Sequence, residues 1–134
     1  MAVALRAGIA YFLIIFAAGA VLGTVRVLLL IPLLGELPAL MLEIPVMLVL
    51  SWIVCARLVA RGTGPAHPRA LLEMGSVAFA LLMAAETALA MLAFGRPLAA
   101  HLAHYGTAEG LAGLAGQICF ALIPLVQGRL HGAD

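Results

Sequence analysis

The chain has 134 residues, of which 66% are hydrophobic and 10% charged, with a formal net charge of +1 and a mean hydropathy of +1.21. A soluble domain averages roughly 45–50% apolar and about 25% charged residues, and a chain this small cannot hide so much apolar surface in a core. A water-soluble globular protein, a disordered chain and a disulfide scaffold are thereby excluded, and an integral membrane protein remains.

A spanning helix needs about 20 mostly apolar residues, and the sequence predicts four, at about 8–30, 38–56, 71–94 and 110–126. Alternating strands of a membrane barrel are absent. At the N-terminus, Arg6, an apolar run and Ala18-Gly19-Ala20 look like a signal peptide. The apolar run continues past that point to Leu34, so an uncleaved first span is expected. Ile31 to Pro38 ends the first helix and begins the second, because proline is tolerated in a first helical turn. Pro45 is assigned to the early turns of the second helix for the same reason, although a loosened helix beside Glu43 is the alternative. Gly62-Thr-Gly-Pro-Ala-His-Pro68 reads as a loop, and a third connection runs from Gly95 to about Glu109. Pro124 reads as a kink or terminus of the fourth helix. Short connections favour neighbouring antiparallel helices. The expected fold is a single all-α transmembrane domain, an up-down four-helix bundle.

All seven basic residues are arginine. In a four-pass bundle Arg6, Arg57, Arg61, Arg69 and Arg129 share one side, and Arg96 flanks the other. The positive-inside rule then places both termini in the cytoplasm. Composition without lysine fits a GC-rich bacterium, so the bacterial inner membrane is the expected location. Trp52, Tyr11 and Tyr105 fall where aromatic interface anchors are found. No basic block invites nucleic acid.

Ionisable residues inside a membrane are costly and informative. Arg26, Glu43 and Glu86 lie within apolar segments, and Gln117 joins them as a neutral polar group. Each belongs to a different helix, and at about 1.5 Å rise per residue all four fall in the outer half of the bilayer. They are expected to form one network for a substrate or a proton. Arg26 can neutralise one carboxylate through paired hydrogen bonds. The other acid is left uncompensated and can carry or exchange a proton. The competing explanation is that the four residues only tie helices together.

Small residues allow close helix approach. Gly19 and Gly23 form a GxxxG pattern on the Arg26 face, and Gly110, Gly113 and Gly116 repeat every third residue; both stripes are expected at helix contacts, within the bundle or in a homodimer. Gly75, Phe79 and Ala90 share the face of Glu86. Cys55 and Cys119 read as buried small hydrophobes. His101 and His104 make at most half a zinc or copper site, and a solvated amphipathic connection is the preferred reading there. His67 and His131 read as ordinary cytoplasmic-side residues. No cofactor is expected, since no histidine lies in a span and no nucleotide-binding or triad motif occurs.

These features favour a small transporter or permeation protein with a protonatable glutamate. The alternative is a structural or accessory subunit of a larger membrane complex. A lipid- or isoprenoid-modifying enzyme, with one glutamate as general acid, ranks third. Partners beyond the lipid bilayer would be a second copy of the chain or other subunits.

Overall fold

The computed structural model describes residues 2–60 and 67–132, and within these every regular element is helical. Arg61, most of the expected Gly62–Pro68 loop and the side chain of His131 lie outside the described residues. The elements are α1 (Ala2–Val25), α2 (Ile31–Leu34), α3 (Glu36–Ala60), α4 (Pro68–Ala88), α5 (Leu98–His104) and α6 (Ala108–Gly132). Four continuous helical stretches are long and apolar enough to cross a membrane: Ala2–Leu34, Glu36–Val59, Pro68–Ala93 and Ala108–Leu130. Each begins before the start expected from hydropathy alone, and all but the third, which stops at Ala93, run past the expected end. The flanking Ala, Leu, Glu and Arg residues are strong helix formers, so the helix outlasts the apolar run.

Helix ends follow local chemistry. Gly35 breaks the first stretch from α3 at φ 92, and Gly95 ends the third at φ 63, conformations that a side chain would strain. Thr107 accepts the Gly110 N–H on its hydroxyl at 3.0 Å as α6 begins. His67 plays the same part for α4, accepting the Arg69 N–H on Nδ1, and Pro68 follows as its first residue. Two π-helical turns interrupt the α geometry, at Arg26–Leu30 and Leu89–Ala93. The first lies directly ahead of Pro32, which cannot donate a hydrogen bond back into the preceding turn.

Around the molecule α1 packs on α3 and α4, and α6 packs on the same two helices. Sequence-adjacent α3 and α4 make no substantial contact, contrary to the expectation that short connections join neighbours. Large apolar side chains such as Leu13, Val21, Leu29, Leu92 and Ile118 are exposed on the outer faces. In a bilayer that surface meets lipid, where no hydrophobic penalty arises.

One end of the molecule is closed. Its core joins Ala7, Tyr11, Phe12 and Ile15 of α1 to Cys55 of α3, Leu71, Met74 and Ala78 of α4, and Phe120 and Ile123 of α6. Glycine permits the approach there. A Cβ on Gly75 would collide with the Ala121 carbonyl, one on Gly8 with Met74 and Val77, and one on Gly128 with Leu71. Tyr11 is fully buried, which corrects its expected role as an interface anchor. Pro124, itself buried and inside α6 rather than at its end, explains the position. A proline at that site leaves the Phe120 carbonyl without its helical N–H partner. The Tyr11 hydroxyl donates to that carbonyl at 2.7 Å, and the two rings stack with centroids 4.3 Å apart. Nearby, Gln127 donates to the Trp52 carbonyl at 2.7 Å. Cys55 is buried, but Cys119 is exposed on the outer face of α6, against expectation.

Candidate functional site

At the opposite end the four long helices separate around a cavity of about 680 Å³. The second halves of α1 and α4 and the first halves of α3 and α6 form its walls, and α5 lies across it. Arg26, Glu43, Glu86 and Gln117, the four residues singled out from the sequence, all line it. His101, His104, Tyr105 and Glu109 line it as well. Toward the closed end the wall turns apolar with Ile15, Phe16, Met47, Leu48 and Phe120.

Arg26 Nε lies 2.8 Å from Glu43 Oε2, and the Glu43 side chain is only 13% exposed. The charges are adjacent, yet neither atom completes a well-directed hydrogen bond. The expected paired, fork-like geometry is therefore replaced by a single close ion contact. Arg26 begins the first π turn, whose altered rotation changes which way the following side chains face. Pro45 sits well inside α3, two residues after Glu43, not in its first turns as expected. The Met41 carbonyl, one turn before Pro45, consequently loses its helical donor.

Glu86 lies one turn before the second π turn. Its carboxyl faces the Gln117 amide, and His101, Arg26 and His104 are ionisable groups within electrostatic reach of it. Among the described residues the ion pairs are Arg26–Glu43 and the surface pair Arg69–Glu73. Glu86 thus has polar neighbours but no cation at ion-pair distance among them.

His101 departs most from the sequence reading. It is 6% exposed rather than solvated, because α5 folds inward over the cavity. Its Nε2 lies 3.3 Å from Thr87 Oγ1 and 3.5 Å from the Tyr105 hydroxyl. Its Nδ1 is buried without a partner. Tyr105 sits edge-on to the His101 ring. Burial, with the Glu86 carboxylate adding to it, pushes the Tyr105 phenol above its ordinary range. His104 is exposed. Among the described residues no group of three or more His, Cys, Asp or Glu side chains is placed to hold a metal ion.

The glycine stripes divide. A Cβ on Gly110 would strike the His104 carbonyl, so this residue lets α5 close onto the start of α6. Gly116 faces Ile44 and Gly19 faces Met47, at 3.3 and 3.4 Å from a notional Cβ. Gly23 would meet only the Arg26 guanidinium, and Gly113 meets nothing within 4 Å. Gly23 and Gly113 are therefore not points of tight helix contact. They border the cavity, where a missing side chain becomes open volume.

The sequence reading missed the inward fold of α5 and the part played by Thr87. The signals were present in His101-Leu-Ala-His104-Tyr105, an i, i+3, i+4 face of polar rings beside a span. No protein-family model, curated protein or solved structure matches this chain.

Proposed function

We propose that this protein is a small transporter or permeation protein of the bacterial inner membrane, with Glu86 as its proton-exchanging group. In this reading the helices form an antiparallel up-down bundle with both termini in the cytoplasm, and the cavity faces the outer side. The observation that supports it is the convergence of Arg26, Glu43, Glu86 and Gln117, one from each long helical stretch, on one cavity. Arg26 offsets Glu43, which leaves Glu86 free to take a proton or a cation and to release one in exchange. Polar side chains deep in a membrane protein mark such pathways. The Pro45 break and the two π turns give the helices beside them points of flexure.

The test is proton movement into proteoliposomes loaded with a pH-sensitive dye, after an imposed pH step. Wild type should acidify the lumen faster than empty vesicles. Glu86→Gln should abolish this while keeping helix content and monodispersity. A variant that moves protons at the wild-type rate removes the transport reading, as does a wild type indistinguishable from empty vesicles.

One observation favours a second reading. An apolar wall beside a carboxyl is also what acid catalysis on a lipid or isoprenoid requires. That reading predicts a chemically altered lipid after incubation with the protein and no proton movement. The accessory-subunit alternative predicts a fixed stoichiometric partner in the mass of the complex released from native membranes.

A further inference from the structure

The hydrogen-bonding inventory of the cavity points to the class of molecule that it takes, and this step rests on the cavity being a substrate site. The Thr87 hydroxyl donates to the Met83 carbonyl at 2.8 Å, so its oxygen can only accept from His101. The His101 Nε2, 3.3 Å away, must then carry the ring proton. In the neutral ring Nδ1 is left as a bare acceptor, buried and unpartnered. Gln117 is in the same position. Its amide faces the Glu86 carboxyl, an acceptor group that takes the N–H side, and its Oε1 is buried without a partner.

The acceptors left without partners at the polar end are His101 Nδ1 and Gln117 Oε1, beside the Glu86 carboxylate, while the donor in the same position, Arg26 Nε, stands 2.8 Å from Glu43 Oε2. Arg26, the fixed cation among the cavity residues, is held against Glu43. Buried polar atoms without partners are uncommon in proteins and call for an explanation. We propose that the cavity binds a primary ammonium carried on an apolar body. An ammonium offers three donors and no acceptor, and its charge answers Glu86. The body lies along Ile15, Phe16, Met47 and Phe120 toward the closed end. A volume of about 680 Å³ falls within the range of roughly 300–1,000 Å³ found for small-molecule sites. A quaternary ammonium brings charge but no N–H, and a carboxylate brings acceptors to acceptors.

The test is calorimetric titration at neutral pH of the full chain in phosphatidylcholine nanodiscs. The probes are octylamine, octyltrimethylammonium and octanoate, which share one tail. Octylamine should bind at one saturable site at least about tenfold more tightly than the other two, because hydrogen bonds to charged groups discriminate at that level. Gly113→Leu projects into open space and should fill the site, weakening octylamine by tenfold or more. Gln117→Leu should weaken octylamine and leave octyltrimethylammonium unchanged, which keeps the proposal testable if the glycine variant does not fold. Equal affinity for the two cations, a preference for octanoate, or binding unaffected by both variants would overturn it. Amine selectivity in a chain that moves no protons keeps this site and sinks the transport reading. Proton movement without amine selectivity does the reverse.

Discussion

Replacing Tyr11 by Phe tests whether the closed end is built around the carbonyl that Pro124 releases. Tyr11 is fully buried, and its hydroxyl donates to the Phe120 carbonyl at 2.7 Å. Phenylalanine keeps the ring and hence the stacking on Phe120 at 4.3 Å, so the change removes the hydroxyl alone, with its bond to the Phe120 carbonyl and its contact with Ser51. Leaving a buried carbonyl unpaired costs about 1–3 kcal/mol, while interhelical hydrogen bonds in membrane proteins average about 0.6 and reach about 1.7 kcal/mol. The single substitution should therefore cost about 1–2 kcal/mol. Pro124→Ala restores a backbone N–H one turn beyond Phe120 and gives the carbonyl its ordinary helical partner. In that background Tyr11→Phe should cost less than about 0.5 kcal/mol, a coupling near 1 kcal/mol. Any packing lost with the proline ring appears in both arms of the cycle and cancels. The assay is reversible unfolding of all four proteins in mixed micelles against SDS mole fraction, followed by helical circular dichroism. If Tyr11→Phe costs the same in both backgrounds to within about 0.3–0.5 kcal/mol, the proline and the tyrosine are unrelated and the argument fails.

Other consequences can be checked in the same preparations. Arg26→Met should destabilise by about 1–3 kcal/mol, below the range for fully buried pairs because the arginine is partly exposed; adding Glu43→Met should recover much of the loss in the same unfolding assay. Gly75→Ala should cost about 1–3 kcal/mol through overpacking against the Ala121 backbone, whereas Gly113→Ala should leave the unfolding midpoint unchanged. In a Tyr11→Phe background, ultraviolet titration of Tyr105 should give a midpoint above about 10, the ordinary phenol value. Glu86→Gln should bring that midpoint down, since the carboxylate is one cause of the rise. The sign for stability follows: the native state holds the Tyr105 proton more tightly, so this contribution is intact below about pH 10 and declines above it.

Much of the polar site was legible because a membrane penalises every ionisable group that lacks a purpose. Arg26, Glu43, Glu86 and Gln117 stand out against apolar runs, and helical phase with a rise of about 1.5 Å per residue is enough to group them by depth. Tyr11 and His101 were misread for a shared reason. Each sits near the end of a predicted span, where tyrosine and histidine ordinarily meet the interface. Tyr11 is drawn inside by a carbonyl made available 109 residues away, at Pro124's partner Phe120. His101 is drawn inside by Thr87, across a helix break at Gly95. The attraction on Tyr11 has no local sequence pattern, and the polar-ring face of His101, His104 and Tyr105 does not by itself name Thr87 as its contact. The same holds for the order of helices around the cavity, because α3 lies apart from α4 despite following one another in sequence.

Glycine shows how one residue type builds both ends of this molecule. At the closed end Gly8, Gly75 and Gly128 are filled from outside, by Met74, the Ala121 backbone and Leu71. There the absent side chain brings helices together, and dispersion contacts replace it. At the open end Gly23 and Gly113 face the cavity with no neighbouring helix against them. There the absent side chain is simply space. Glycine is the same letter in both settings, so its presence cannot separate them. What separates them is the polar residue one turn away. Beside Arg26 or Gln117, close helix approach would squeeze water or ligand from a charged or amide group and leave it unpaired. Beside Tyr11 or Met74 it costs nothing of the kind. A small residue in a membrane helix therefore reads as a wall of a cavity when an unsatisfied ionisable or amide side chain lies within one turn of it on the same face, and as a packing seam when only apolar or already satisfied groups do.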